Sequence, residues 1–179
     1  MRVEKIHHVA YRCCDAKETA DFYKSILEMD LIGAIAEDRV PSTKEPDPYM
    51  HIFLDAGAGN ILAFFELPNS PAMGRDPNTP DWVQHIALEV ADKQTLQEAK
   101  ARAEAAGLEV VGPTDHSLFQ SIYFRDPSGH RVEVAVPTGT PEQMRRMNDV
   151  AQKMLEDWSR TKTPPRHMAW LHEAEFGAH

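Results

Sequence analysis

Cysteine is nearly absent: two occur in 179 residues, the neighbours Cys13 and Cys14. Adjacent side chains on an extended strand point to opposite faces and do not bridge, which excludes a disulfide-stapled scaffold and leaves small buried thiols as the expectation. Positive charge is also scarce. Nineteen Lys plus Arg stand against 28 Asp plus Glu, the formal net charge is -9, and no basic block is present, so nucleic acid is not expected as a partner. No apolar run approaches the ~20 residues of a bilayer-spanning helix, and no membrane span is expected. The opening residues Met1 to His8 turn polar too soon for a secretion signal, which predicts a cytoplasmic protein. What remains is 42% hydrophobic and 26% charged, the make-up of an ordinary packed chain with one core.

The sequence repeats itself weakly. His8-Val9-Ala10 recurs 77 positions on as His85-Ile86-Ala87, and Asp15 recurs at the same separation as Asp92. Each Asp precedes a helical stripe: Ala20, Tyr23 and Leu27 after the first, Leu96, Ala99 and Ala103 after the second. Both aspartates read as helix N-caps, and Gly107 stands where the second helix should stop. The helices then give way to strands, at about 30–37, 49–56 and 60–67 in one half and 108–112, 119–125 and 130–136 in the other. A unit of ~60 residues buries its sheet face poorly alone, so the two copies should pair.

The predicted fold class is therefore α+β: two paired βαβββ modules forming a cupped sheet around a metal site, plus a C-terminal helix. Module 1 covers about 5–67, the Pro-rich stretch 68–80 is a linker, module 2 covers about 82–137, and together they make one domain over 1–137. Residues 138–179 are a helical extension. Pro41, Pro46 and Pro48 mark Arg39 to Pro48 as an irregular insertion. The helix at 141–159 carries Met144, Met147, Ala151, Leu155 and Trp158 as a packing stripe, and Trp170 and Phe176 should dock on the body or on a second subunit.

Strand alternation separates the candidate chemistry from the core. In 82–91, Ile86, Leu88 and Val90 share one face and His85, Ala87 and Glu89 the other; in 130–136, Val132, Val134 and Val136 oppose Arg131, Glu133 and Ala135. The valine and leucine faces must cover the helices, so His85 and Glu133 project from the concave side, and His8 does so by repeat symmetry. Two imidazoles and a carboxylate match the facial triad that holds a first-row divalent metal with open coordination positions. Glu66 also ends a strand, but Ile61 to Leu67 is apolar on both faces, so alternation leaves this carboxylate open between ligand and solvent-facing strand end.

These residues resemble the vicinal oxygen chelate superfamily over about 5–137, whose paired modules cup a divalent metal. The segment Thr114-Asp115-His116, five residues, then Ile122-Tyr123-Phe124-Arg125-Asp126-Pro127-Ser128-Gly129-His130-Arg131-Val132-Glu133 is similar to the signature of type I extradiol dioxygenases, most like the one-domain members. The resemblance implies His8, His85 and Glu133 as ligands of Fe(II), or Mn(II), with Tyr123 and His116 as catalytic partners of substrate and dioxygen. The implied reaction is ring cleavage of a catechol-like aromatic diol in a homodimer or other homo-oligomer. The histidine expected on the strand before the linker is missing, and His51 is a weak substitute. A glyoxalase I-like lyase or isomerase is the alternative, with Glu66 as fourth ligand to Zn(II) or Ni(II). A metal-free binding module is a third reading, disfavoured because such members lack the ligands.

Overall fold

In a computed structural model, which describes residues 2–171, each half of the chain is a strand, a helix and three strands. The first half is β1 (Val9–Cys13), α1 (Ala16–Leu27), β2 (Leu31–Arg39), β3 (Pro46–Asp55) and β4 (Ile61–Glu66). The second is β5 (His85–Glu89), α2 (Lys93–Ala105), β6 (Val111–Asp115), β7 (Phe119–Arg125) and β8 (Arg131–Pro137), followed by α3 (Pro141–Thr161) and a 3-10 turn at Arg166–Leu171. The helices begin where capping chemistry dictates. Asp15 accepts from the Glu18 amide at 2.7 Å, Asp92 from that of Thr95 at 2.8 Å, and Thr140 closes a capping box with Gln143.

The repeat produces two four-stranded sheets, ordered β1-β4-β3-β2 and β5-β8-β7-β6. In each, the first strand pairs in parallel with the last and the remaining neighbours are antiparallel. Helix α1 covers Ile52, Leu54, Leu62 and Phe64, while α2 covers Ile122, Val132 and Val134; these residues and the helix stripes form one buried cluster. Full burial of each such side chain stabilises by roughly 1.5–3 kcal/mol. The two helices touch, so the modules meet on their helix sides. The turn at Asp126 to Gly129 clasps them: Tyr23 Oη donates to Asp126 Oδ2 at 3.1 Å, the Cys14 amide donates to Ser128 Oγ at 3.0 Å, and His130 Nε2 meets the Arg12 carbonyl oxygen at 2.6 Å. The sheet faces opposite the helices are left for chemistry.

Four expectations change. Residues 39–48 are irregular only over 40–45: β2 runs to Arg39, β3 starts at Pro46, and the two pair across a bulge between Glu37 and Arg39. Pro46 and Pro48 lie beyond the last pairing of β3 with β4, at Met50 and Glu66, where few ladder amides are required of them. Of the two thiols only Cys13 is buried, and burial pushes it up to about 11. The stripe of α3 is not packed on the body, since no α3 residue is buried. Trp158 and Leu155 are exposed. Trp170 stacks on Arg146 of that same helix, 4.1 Å from guanidinium to ring; Phe176 lies outside the described residues. Among the described residues no helix is long and apolar enough to cross a membrane.

Candidate metal centre

Glu133 is the anchor of the second sheet's outward face. It sits in the middle of β8, between β5 and β7, and is only 3% exposed, because Ala87 on one side and Tyr123 on the other are its register partners. A carboxylate so placed requires partners. Oε1 accepts from Tyr123 Oη at 3.0 Å and from Ser121 Oγ; Oε2 lies 2.9 Å from His85 Nε2. Tyr123 Oη in turn meets His116 Nε2 at 2.8 Å. Since the phenol donates to Glu133, His116 Nε2 must carry the hydrogen donated to it. Burial, reinforced by the Glu133 carboxylate, pushes the Tyr123 phenol above its ordinary value, which keeps it a donor at neutral pH. His116 is held by its stack on Phe119, with ring centroids 4.7 Å apart. Its neighbour Ser117 bonds the Leu171 carbonyl at 2.6 Å, tying the C-terminal turn to this loop.

The donor chemistry of this pair fits a cation. His85 Nδ1 is 3.0 Å from the Val83 carbonyl oxygen and can only donate there, so neutral His85 presents a lone pair at Nε2 to a carboxylate oxygen. Two acceptors facing each other need a proton or a metal ion between them. An imidazole whose far nitrogen is fixed by a carbonyl, beside a carboxylate oriented by hydroxyl donors, is the arrangement that metal ligands require of their surroundings.

His8 stands on the other sheet. It precedes β1 on the face of Ala10 and Arg12, with His7 Nδ1 2.8 Å from its Nδ1 and the His51 ring 6.3 Å away. His51 stacks on Phe65 at 3.6 Å, and its Nε2 is buried without a hydrogen-bond partner. Burial, then the neighbouring His8, push the His51 imidazole below its ordinary value. His51 thus joins His8 and not the Tyr123 array. Within one chain the structure brings together His85, Glu133, Tyr123 and His116, and separately His8 and His51; no group of three or more potential ligands converges among the described residues.

Glu66 does not share the His8 face. Its neighbours in register, Met50 and Cys13, belong to the helix-covered side, and its Oε2 accepts from the Ala16 amide at 2.7 Å, capping α1. Strand register explains why. Ala87 pairs with Glu133, while Ala10, its repeat equivalent, pairs with Ala63, so the counterpart of Glu133 in the first module is an alanine. Glu66→Ala is expected to lower stability by about 1 kcal/mol, the usual worth of an anion at a helix N-terminus, and to leave metal content unchanged. Denaturant unfolding and metal analysis check this together. Sequence reasoning did not single out Ser121, His7 or Arg131. The first and last share strand faces with Glu133, so alternation held the signal.

The comparisons with known proteins agree with the fold. Residues 5–134 match the family model described as the glyoxalase/bleomycin resistance protein/dioxygenase superfamily. A protein of Bacillus subtilis (strain 168), provisionally named a ring-cleaving dioxygenase, MhqA, is 29% identical over 136 residues, 74% of this chain. The chain spans about 40% of that relative's length. Among solved structures, a glyoxylase/bleomycin resistance protein/dioxygenase domain from Frankia sp. EAN1pec aligns with TM-score 0.60 at 17% identity, over 76% of this chain and 99% of that one. Lactoylglutathione lyase from Agrobacterium tumefaciens aligns at 0.52 and 21%, over 76% and 96%. A fosfomycin resistance protein of Listeria monocytogenes, solved with Mn(II), gives 0.54 and 22%, over 80% and 99%. At these identities the structures speak for the fold alone.

Proposed function

The chain belongs to the glyoxalase/bleomycin resistance protein/dioxygenase superfamily, and from that membership we propose that it is an Fe(II)-type extradiol dioxygenase cleaving a catechol-like aromatic diol. The observation that carries the reading is the ligand count. With Ala63 at the position equivalent to Glu133 and Glu66 turned to α1, the donor set is His8, His85 and Glu133. Fe(II) held by two histidines and one carboxylate supplies open coordination positions for a diol and dioxygen; Mn(II) would serve the same set. Zn(II) has no redox chemistry to offer dioxygen. The name of the Bacillus subtilis relative supports the same branch, and the glyoxalase-like alternative loses the fourth ligand, the Glu66 carboxylate, on which it depends.

Because His8 lies on a different sheet from His85 and Glu133, we further propose a cytoplasmic homodimer in which His8 of one copy completes the site of its partner. Symmetry favours this. In an isologous pair, the outward face of one copy's first sheet can meet the outward face of the other's second sheet twice over. Exposed Ala10 and Ala87 at the centres of these faces suit a covered surface.

The protein's own groups then have distinct tasks. Glu133 and His85 fix the anchoring end, and Ser121 and Tyr123 orient the carboxylate. His116 Nε2 holds a proton in reach of the Tyr123 oxygen and can pass one to an oxygen-derived group. His116→Phe is expected to lower turnover by ~10²-fold or more with metal retained. Tyr123→Phe removes one of the two hydroxyls on Glu133 Oε1 and should weaken metal affinity by roughly 10- to 100-fold as well. Steady-state oxygen uptake on metal-replete variants, with metal titrations, separates the two. Oxygen consumption on anaerobically Fe(II)-loaded protein, with catechols and with the hemithioacetal of methylglyoxal and glutathione on one sample, tests the function. Uptake with catechols is expected; hemithioacetal turnover by a zinc form without oxygen uptake would establish the lyase instead.

A further inference from the structure

Arg131 is a guanidinium with no hydrogen-bond or ion-pair partner among the described residues. It lies on β8 two residues before Glu133, on the same outward face, and is the register partner of His85. Its Cζ stands 4.3 Å from the centroid of the Tyr123 ring, whose hydroxyl donates to Glu133. Arg131 makes no hydrogen bond or salt bridge among the described residues, and its Nε is buried without a partner. A shielded Nε–H without an acceptor is costly, and stacking on an aromatic ring offsets only part of that, while the half-buried side chain leaves its terminal nitrogens open to the cavity.

The surroundings sharpen the point. Arg131 and His85 together line a cavity of about 460 Å³ between the 73–84 segment and the second sheet, whose wall also carries Arg75, Asp81, Arg125 and His130. Asp81, a carboxylate on the same wall, is already shared: Arg75 binds Oδ1 and Arg125 binds Oδ2 at 3.2 Å. Two guanidiniums pair directly with Asp81, and Arg131 feels that carboxylate without contacting it. The one left without a direct partner is the one beside His85.

We infer that Arg131 is the residue that selects the substrate, by binding a carboxylate carried on the ring or on a short side chain of the diol. This rests on the dioxygenase reading for the diol, while the anion recognition itself follows from the arginine and the cavity. A planar fork of donors is suited to a carboxylate in two parallel bonds, and the Tyr123 ring beneath it holds the fork in one plane. Neutral catechols then bind through the metal alone, and acidic ones through the metal and Arg131.

The test is anaerobic calorimetry on the Fe(II)-loaded protein with 3,4-dihydroxybenzoate and 4-methylcatechol as probes, for wild type, Arg131→Gln and Arg131→Lys. Wild type should prefer the carboxylate by roughly 10- to 100-fold, the range for hydrogen bonds to a charged group. Arg131→Gln should abolish the preference with 4-methylcatechol affinity and metal content unchanged, and Arg131→Lys should keep part of it. Equal affinities in wild type, a result that needs no variant to fold, would overturn the inference. So would a preference that survives Arg131→Gln. Oxygen uptake on the same samples keeps the two readings apart: preference without uptake removes the dioxygenase and leaves the anion site, while uptake without preference does the reverse.

Discussion

Glu133→Ala is expected to strip the protein of its metal, from about one ion per chain to less than a tenth, and to abolish turnover with it. Deleting a group that merely orients a ligand costs roughly 10- to 100-fold in affinity, and Glu133 is proposed as the ligand itself. The substitution has a second effect that His8→Ala will lack. Ser121 Oγ and Tyr123 Oη both donate to Glu133, and in the alanine variant these shielded donors lose their acceptor, at about 1–3 kcal/mol each. Metal analysis after chelation and reloading, beside denaturant unfolding of the metal-free proteins, reads the two effects separately. Stoichiometric metal in the alanine variant would dispose of the proposed centre.

Mixing two inactive variants should restore activity. His8→Ala and His85→Ala each disable both sites of a symmetric dimer, but in a mixed dimer one site collects both lesions and the other collects neither. Random exchange of equal amounts should therefore recover about a quarter of wild-type turnover and metal. Purifying the mixed species by co-expression with two tags should raise the recovery to about half, one intact site of two, and oxygen uptake measures both values. If the ligands came from one chain, mixing would recover nothing; recovery above the sum of the separate variants is possible only when the ligands are divided between copies.

Much of this was legible from periodicity. The apolar faces of β5 and β8 and the caps at Asp15 and Asp92 stand where alternation and spacing put them, and with them the side from which His85 and Glu133 project. What was not legible was register. The strand carrying Glu66 is apolar on both faces, so only pairing with β1 reveals that Ala63 occupies the position of Glu133 and that Glu66 caps a helix. The prolines of 39–48 misled for a related reason: a proline forbids a ladder bond only where a neighbour asks for one, and pairing determines where that is. Amphipathy in α3 defines an apolar stripe but not a surface beneath it. Alternation likewise put His8 on the outward face without saying that the sheets meet back to back through their helices, which is what parts it from His85.

In the proposed dimer that separation would tie occupancy of the metal to concentration. With one imidazole on each copy facing two ligands on the other, a lone chain would offer the ion at most two protein donors, and the ion's full affinity would exist only in the pair. Metal binding and association are then linked by mass action: the ion tightens the dimer by the same free energy with which the dimer tightens the ion. Dilution of such a dimer would act as a chelator, and metal supply would control how much of it is assembled.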